Sequence, residues 1–247
     1  MDQSTFAAGT DDGTVEIYRF NPDEIKLKLT TTLDQHDRIV SSVAAKQENV
    51  LSASHDGLIH LWSISSSTPS CVKATFRQHH DVVQDVCWFD QEESFVSVGR
   101  DGQGLIWDTR TQSKSSFMND NSDGILCAKV CNNFIAVGME SGRVEIRDRR
   151  STKIPIYADV SSHRLPVSSV LIIMREETLL VASASDDTSV RVRTMIEKDE
   201  KKIDFTYKGH NDYVRALEFG PPGCVFSGGR DQLLHCWTYL LPVAVTK

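Results

Sequence analysis

The chain has 247 residues, enough for one large domain with a sizeable core or for two small ones, and its 25% charged and 40% hydrophobic residues are ordinary for a globular protein. A net charge of −7 argues against nucleic acid or an anionic membrane as the main partner. No apolar run approaches the roughly 20 residues of a membrane-spanning helix, and the opening MDQSTFAAGT has neither the basic nor the apolar region of a secretory leader.

Residues 2–20 contain FAAGTDDGTVEIYRF, two alternating apolar runs about a turn at Asp12-Gly13. Residues 21–64 open on the turn Asn21-Pro22-Asp23, continue with the strand-like IKLKLTTTL, reach His36 and the run IVSSVAA, and close with LSASHDGLIHLWSI. Residues 65–108 enter through SSSTPS, pass VKATFRQ, His80 and VVQDVCW, and end in SFVSVGRDGQGLIWD. The Asp-Gly pairs between alternating runs are hairpin signals, because glycine supplies the positive φ of a tight turn.

Residues 109–148 are the most degenerate unit, with Asp123 in place of a histidine before ILCAKV, and ESGRVEIRD as the closing hairpin. Residues 149–194 begin with Arg149-Arg150, pass IPIYADV, His163 and VSSVLII, and close with VASASDDTSVRVRT. Residues 195–247 carry the charge run Glu197–Lys202, then IDFTYKG, His210, YVRALEF and FSGGRDQLLHCWTY, and finish with LLPVAVTK, a candidate extra edge strand.

The turn positions 12, 56, 101, 141, 187 and 231 lie 44, 45, 40, 46 and 44 residues apart. An aromatic follows six residues later at Tyr18, Trp62, Trp107 and Trp237, and an arginine at Arg147 and Arg193. A period near 40–45 residues with several short strands per unit is the signature of a propeller array. Each full unit is expected to supply four antiparallel strands, one blade.

The order of histidine, strand, strand with serine, aspartate turn and strand ending in Trp-Asp resembles the WD-repeat family of β-propellers, along essentially the whole chain. The resemblance implies an all-β propeller of about six blades, the first incomplete, where the family would have seven. It also implies a buried network of His36, Ser54, Asp56 and Trp62; His80, Asp101 and Trp107, with Gly99 at the serine place; His163 and Asp187; and His210, Asp231 and Trp237. A buried histidine and aspartate are tolerated only when they hydrogen-bond each other and the indole N–H, so these residues are expected to be structural. An unclosed propeller would leave sheet edges open, and three explanations stay open: a ring patched by the tail, a shortened product, or completion by a partner.

Within the family, QHDRIVSSVAA, LIWDTR, ESGRVEIRDRR and HNDYVRALEF resemble the methylosome WD-repeat subunit. That resemblance implies a non-catalytic scaffold for a protein arginine methyltransferase, presenting arginine-rich substrates such as Sm proteins and histone tails, in the cytoplasm and nucleus. An alternative comes from the box Trp107-Asp108-Thr109-Arg110 and its partner Asp148 with Arg150, which resemble the WDxR boxes of cullin-4 ubiquitin ligase substrate receptors. Partner contacts are expected at the residues preceding each turn, Asp11, His55, Arg100, Glu140, Asp186 and Arg230, with Asp11, Glu140 and Asp186 receiving arginine-rich tails. No nucleophile elbow, phosphate loop or metal-ligand spacing is present, so no catalytic residue, cofactor or metal is expected. The six cysteines read as free thiols.

Overall fold

The computed structural model describes residues 5–64, 71–90, 92–120, 122–151, 154–175, 178–195 and 204–239. The SSSTPS loop, the 197–202 charge run and the 240–247 tail lie outside the described residues. The described secondary structure is β throughout, in antiparallel sheets that fall into two compact units, residues 1–125 and 126–247.

The first unit holds three sheets. The first is β1 (Thr5–Gly9), β2 (Thr14–Asn21) and β3 (Lys26–Asp34); the second is β4 (Val40–Lys46), β5 (Asn49–Ser54), β6 (Leu58–Ser63) and β7 (Cys71–Arg77). The third is β8 (Val83–Trp88), β9 (Ser94–Gly99), β10 (Gln103–Asp108) and β11 (Lys114–Asn119). The second unit holds β12 (Ile125–Cys131), β13 (Phe134–Met139), β14 (Val144–Asp148) and β15 (Tyr157–Asp159) as its first sheet, the fourth of the chain. The fifth is β16 (Val167–Arg175), β17 (Thr178–Ser185), β18 (Ser189–Met195) and β19 (Asp204–Lys208), and the sixth is β20 (Val214–Phe219), β21 (Cys224–Gly229) and β22 (Leu234–Thr238).

These sheets are offset by one strand from the sequence units, which corrects the expectation that one unit makes one blade. The IKLKLTTTL strand opens the 21–64 unit but pairs as β3 with β2, Ile17 facing Thr31 and Phe20 facing Leu27. The cause is local. Asp23 N–H donates to Asn21 Oδ1 at 3.0 Å and Ile25 takes φ 51°, so residues 21–26 close a tight hairpin, while the histidine-bearing segment after β3 carries the chain to the next sheet.

Alternation on the strands places the cores between successive sheets of a unit. Val15, Ile17 and Leu33 pack on Val40, Val50 and Trp62; Leu51, Ile59 and Phe76 pack on Val83, Phe95 and Trp107. In the second unit, Val144 and Ile146 meet Val167, Val170 and Val181, and Ala184, Val190 and Val192 meet Val214, Leu217 and Val225. Each valine that opens β4, β8, β16 and β20 is followed by a β-bulge, with register shifts at Val40/Ser42, Val83/Asp85, Val167/Ser169 and Val214/Ala216. The extra residue is turned out of the ladder. Ser41 thereby donates to the carbonyl of Val83, and Ser168 to that of Val214, tying each sheet to the next.

Turn chemistry differs between copies. Gly102 has φ +70°, and a Cβ there would stand 1.7 Å from the Asp120 carbonyl oxygen. In the fifth sheet the same turn position is Thr188 at φ 69°, a conformation that costs a β-branched residue roughly 1–2 kcal/mol. Thr188→Gly should therefore raise the thermal midpoint and add about 1 kcal/mol of stability in urea unfolding, whereas Gly102→Ala should lower both. A Thr188→Gly variant less stable than the parent would show that the threonine's contacts outweigh its backbone strain.

Candidate functional site

Four sheets share one arrangement at the turn end. In the second, His36 Nδ1 lies 2.8 Å from Asp56 Oδ2, His36 Nε2 lies 2.8 Å from Ser52 Oγ, and Trp62 Nε1 donates to Ser52 Oγ at 2.9 Å. In the third, His79 Nδ1 lies 3.0 Å from Asp101, its Nε2 lies 2.8 Å from Ser97, and Trp107 donates to Ser97 at 2.8 Å. In the sixth, His210 contacts Asp231 at 2.9 Å and Ser227 at 2.8 Å, and Trp237 donates to Ser227 at 2.7 Å. In the fifth, His163 contacts Asp187 at 3.3 Å and Ser183 at 2.8 Å.

Three expected positions are corrected. His80 is exposed and contributes only its backbone N–H to Asp101 at 2.9 Å; the buried ring is that of His79. Ser54 is not the bridge between imidazole and indole: its Oγ accepts from the Asp56 N–H and donates to the Arg38 carbonyl, both at 3.1 Å, while Ser52 is the bridge. Nor does Gly99 stand at the bridging place in the third sheet, because that place belongs to Ser97, two residues earlier. Gly99 occupies the position of Ser54, where a Cβ would sit 2.8 Å from Asp101 Oδ1 and 2.9 Å from His79 Nδ1.

Each aspartate also binds the turn. Asp56 accepts from Leu58 N–H at 2.8 Å, Asp101 from Gln103 at 3.1 Å, Asp187 from Ser189 at 3.0 Å and Asp231 from Leu233 at 3.1 Å. Burial pushes these carboxyls up, but the backbone donors and the imidazole outweigh it, and all four sit below the ordinary value. Burial lowers the His163 imidazole, against the pull of Asp187.

The sixth residue after the turn aspartate decides what replaces the indole. Arg193, in the fifth sheet, points Nη1 at Tyr157 OH (2.7 Å), Ser162 Oγ (3.1 Å) and Asp159, and Nε at Asp204 (3.0 Å). Burial pushes Asp159 up, yet the Ser161 N–H and the Arg193 guanidinium hold it far below the carboxylate range. In the fourth sheet Arg147 pairs with buried Glu145 at 2.8 Å. In the first, Tyr18 OH donates to Glu16 at 2.5 Å.

Two positions before the tryptophan, the second and sixth sheets carry His60 and His235, each 4.4 Å ring to ring from the network histidine and each with a buried Nε2 that finds no hydrogen-bond partner among the described residues. Burial, reinforced by the neighbouring His36 ring, drops the His60 imidazole to about 4. His210, Asp231 and His235 bring three metal-capable atoms within 4.8 Å of one another, but His210 and Asp231 are already bonded to each other.

The candidate contact residues divide. Asp11, Arg100, Glu140 and Arg230 are exposed. His55 and exposed His80, with Asp37, Arg38 and Asp81, line a groove of about 540 Å³ at the turn ends of the second and third sheets. Asp186 is engaged by Arg215 at 3.2 Å, and burial raises its carboxyl above the ordinary value, so its charge is already paired within the fold. In the boxes, Arg110 turns back on Asp108 at 3.2 Å and Arg150 Nε on Asp148 at 2.9 Å, which makes each a cap on its own strand end.

Replacing His79 by alanine should cost about 2–4 kcal/mol in urea unfolding, because it strands Asp101 and Ser97 together, whereas His80→Ala should stay within about 0.5 kcal/mol. Equal losses would return His80 to the network. His60 makes a pH signature. Its folded value lies below the unfolded value of 6.5, so its contribution to stability is complete above pH 6.5 and is lost as pH falls toward about 4. His60→Leu, which copies Leu105 of the third sheet, should flatten the stability profile in that window by up to about 3 kcal/mol; an unchanged slope between pH 6.5 and 4 would assign it to other groups.

Comparison with known proteins places these sheets. The WD domain, G-beta repeat family matches residues 27–63, 70–108 and 201–238, the repeats that contain the three complete indole networks. The chain is 22% identical over 95% of its length to a ribosome biogenesis protein WDR12 homolog of Trichoplax adhaerens, and 24% identical over 100% to that of Aedes aegypti. It spans 60% and 62% of the length of these two relatives. The crystal structure of RRP9 WD40 repeats superposes with a TM-score of 0.75 over 92% of this chain and 70% of that one, at 20% identity, a likeness of fold.

These matches overturn the methylosome resemblance, and with it the methyltransferase, Sm-protein and histone partners and the ubiquitin-ligase alternative. The segments that suggested it hold His36, Trp107 and His210 with their strands, positions that any repeat with this network fills alike. The relatives lend no support to the cytoplasmic half of the expected localisation. Residues 27–63, 70–108 and 201–238 are thus WD repeats, and the all-β antiparallel sheets have the fold of a WD propeller.

Proposed function

We propose that this chain acts in ribosome biogenesis as a nuclear WD-repeat module that holds proteins of a pre-ribosomal particle together. The observation that carries the reading is that its likeness to two ribosome biogenesis proteins runs along 95% and 100% of the chain rather than through one repeat. The physical character of the molecule fits. Its polar machinery is consumed by the turn-end networks, which leaves rigid sheets displaying exposed loop residues such as His80, Arg100 and Glu140 beside the half-buried His55. Loops on a rigid scaffold are where binding residues concentrate. The net charge of −7 favours protein over RNA as the direct contact.

The test is sedimentation of the tagged chain from nuclear extract at moderate salt. It should co-migrate with ribosomal precursor particles, and its depletion should cause precursor ribosomal RNA to accumulate. A chain that stays at the top of the gradient, with RNA processing unchanged after depletion, would refute the assignment.

A further inference from the structure

At the turn end of the fifth and sixth sheets, two arginines converge on one tyrosine. Arg215 is the extra residue of the β-bulge between Val214 and Ala216. Where Ser41 and Ser168 use that position to reach a neighbouring carbonyl, the sixth sheet projects a guanidinium. It lies 5.1 Å from the centre of the Tyr213 ring and 3.2 Å from Asp186. Arg230, the residue before the turn aspartate, places its guanidinium 5.5 Å from the same ring, and its backbone N–H donates to the Tyr213 carbonyl at 2.8 Å. Backbone and ring thus fix Arg230 against Tyr213.

The two charges are not equivalent. Arg215 is answered by Asp186. Arg230 is exposed and has no ion pair among the described residues, although it lies close enough to Asp186 to lower that carboxyl. A guanidinium stacked on an aromatic ring keeps the edges of its planar fork free, the geometry that binds a carboxylate through two parallel hydrogen bonds. Stacking also removes much of the rotamer freedom that an exposed arginine otherwise loses on binding.

We propose that Arg230, held on Tyr213 beside the Asp186–Arg215 pair, is the recognition point for a carboxylate side chain of an acidic peptide segment on a protein partner. The proposal rests on the pre-ribosomal reading only for the partner's setting. A nucleic-acid backbone is the poorer fit, since Asp186 and Asp212 both stand close to this turn end and would repel a run of phosphates.

The experiment uses the full chain and a fluorescein-labelled ten-residue peptide of Glu, Asp and Gly, with its Gln/Asn counterpart and a ten-nucleotide single-stranded RNA as competitors, at 150 mM salt. The acidic peptide should bind and the amide peptide should not compete. Arg230→Ala should weaken binding by about tenfold or more, and Arg230→Lys should recover little of it, because the charge returns without the fork. Thermal midpoints should stay within a degree or two, since Arg230 is exposed. Absence of peptide binding, equal affinity for Arg230→Ala, full rescue by lysine, or RNA competing better than the peptide would each overturn the proposal. Co-sedimentation of the Arg230→Ala chain with precursor particles keeps this outcome separate from the pre-ribosomal reading.

Discussion

The fold depends on a hydrogen-bond chain with a fixed polarity: indole N–H to serine, serine O–H to imidazole Nε2, imidazole Nδ1–H to aspartate, and backbone N–H groups to the same aspartate. Only the neutral imidazole with its proton on Nδ1 satisfies every member. A second proton on Nε2 would leave the serine accepting from both indole and imidazole, with its own hydrogen unplaced. The chain joins the tryptophan of the third strand of a sheet, the serine of the second and the histidine of the segment that enters the first. It therefore fixes the register of three strands and the angle at which the backbone arrives from the preceding sheet. Burial makes it stringent, because Ser52, Ser97 and Ser227 have almost no exposure to solvent that could replace a lost partner.

The sheets that lack the full chain show what the constraint demands. The fifth keeps His163, Ser183 and Asp187 but replaces the indole by Arg193, a far larger polar burden. It is accommodated because Tyr157, Asp159 and Ser162 reach across from the neighbouring sheet to take one guanidinium nitrogen, and Asp204 takes Nε. Among the described residues, the first and fourth sheets show no histidine at this place. Their polar side chains close on near neighbours in the same strand: Tyr18 on Glu16, and Arg147 on Glu145. A bond two residues along one strand orders that strand but ties nothing to the entering segment. The second, third and sixth sheets therefore carry most of the specification of the fold.

Much of this was legible in the sequence, and the misplacements are instructive. The six turns, the strand class and the aspartate–tryptophan ruler follow directly from spacing and alternation. The histidine of the third sheet was open to a better reading. Counted back from the valine that begins the next strand, His36, His79, His163 and His210 each stand four before Val40, Val83, Val167 and Val214. His80 stands three before Val83 and so falls on the exposed side. The serine was legible too, since Ser52, Ser97, Ser183 and Ser227 all precede their aspartate by four, whereas the position two before is serine in one sheet and glycine in another. Counting toward the aspartate alone tolerated both errors, because the hairpin between that valine and the serine varies in length from sheet to sheet. The partners of Arg193 and the stacking of Arg215 and Arg230 on Tyr213 were not legible. They arise from a neighbouring sheet or from a bulge, neither of which periodicity encodes.

The same division explains why a likeness to one family member can mislead about function. A residue whose identity is forced by burial and hydrogen bonding recurs wherever the fold recurs, so agreement there carries no information about a partner. The segments QHDRIVSSVAA and HNDYVRALEF are built from such residues, with His36 and His210 bonded and Val40 and Val214 buried. Information about partners must lie where the fold leaves the choice open: the bulge position, the residue before each turn, and the exposed residue after the network histidine. In the sixth sheet those places are Arg215, Arg230 and Asn211; in the third they are Gln84, Arg100 and His80. The two sheets share the full network and the arginine before the turn but differ at the other two places, so one scaffold presents different chemistry from different sheets without altering what holds either together.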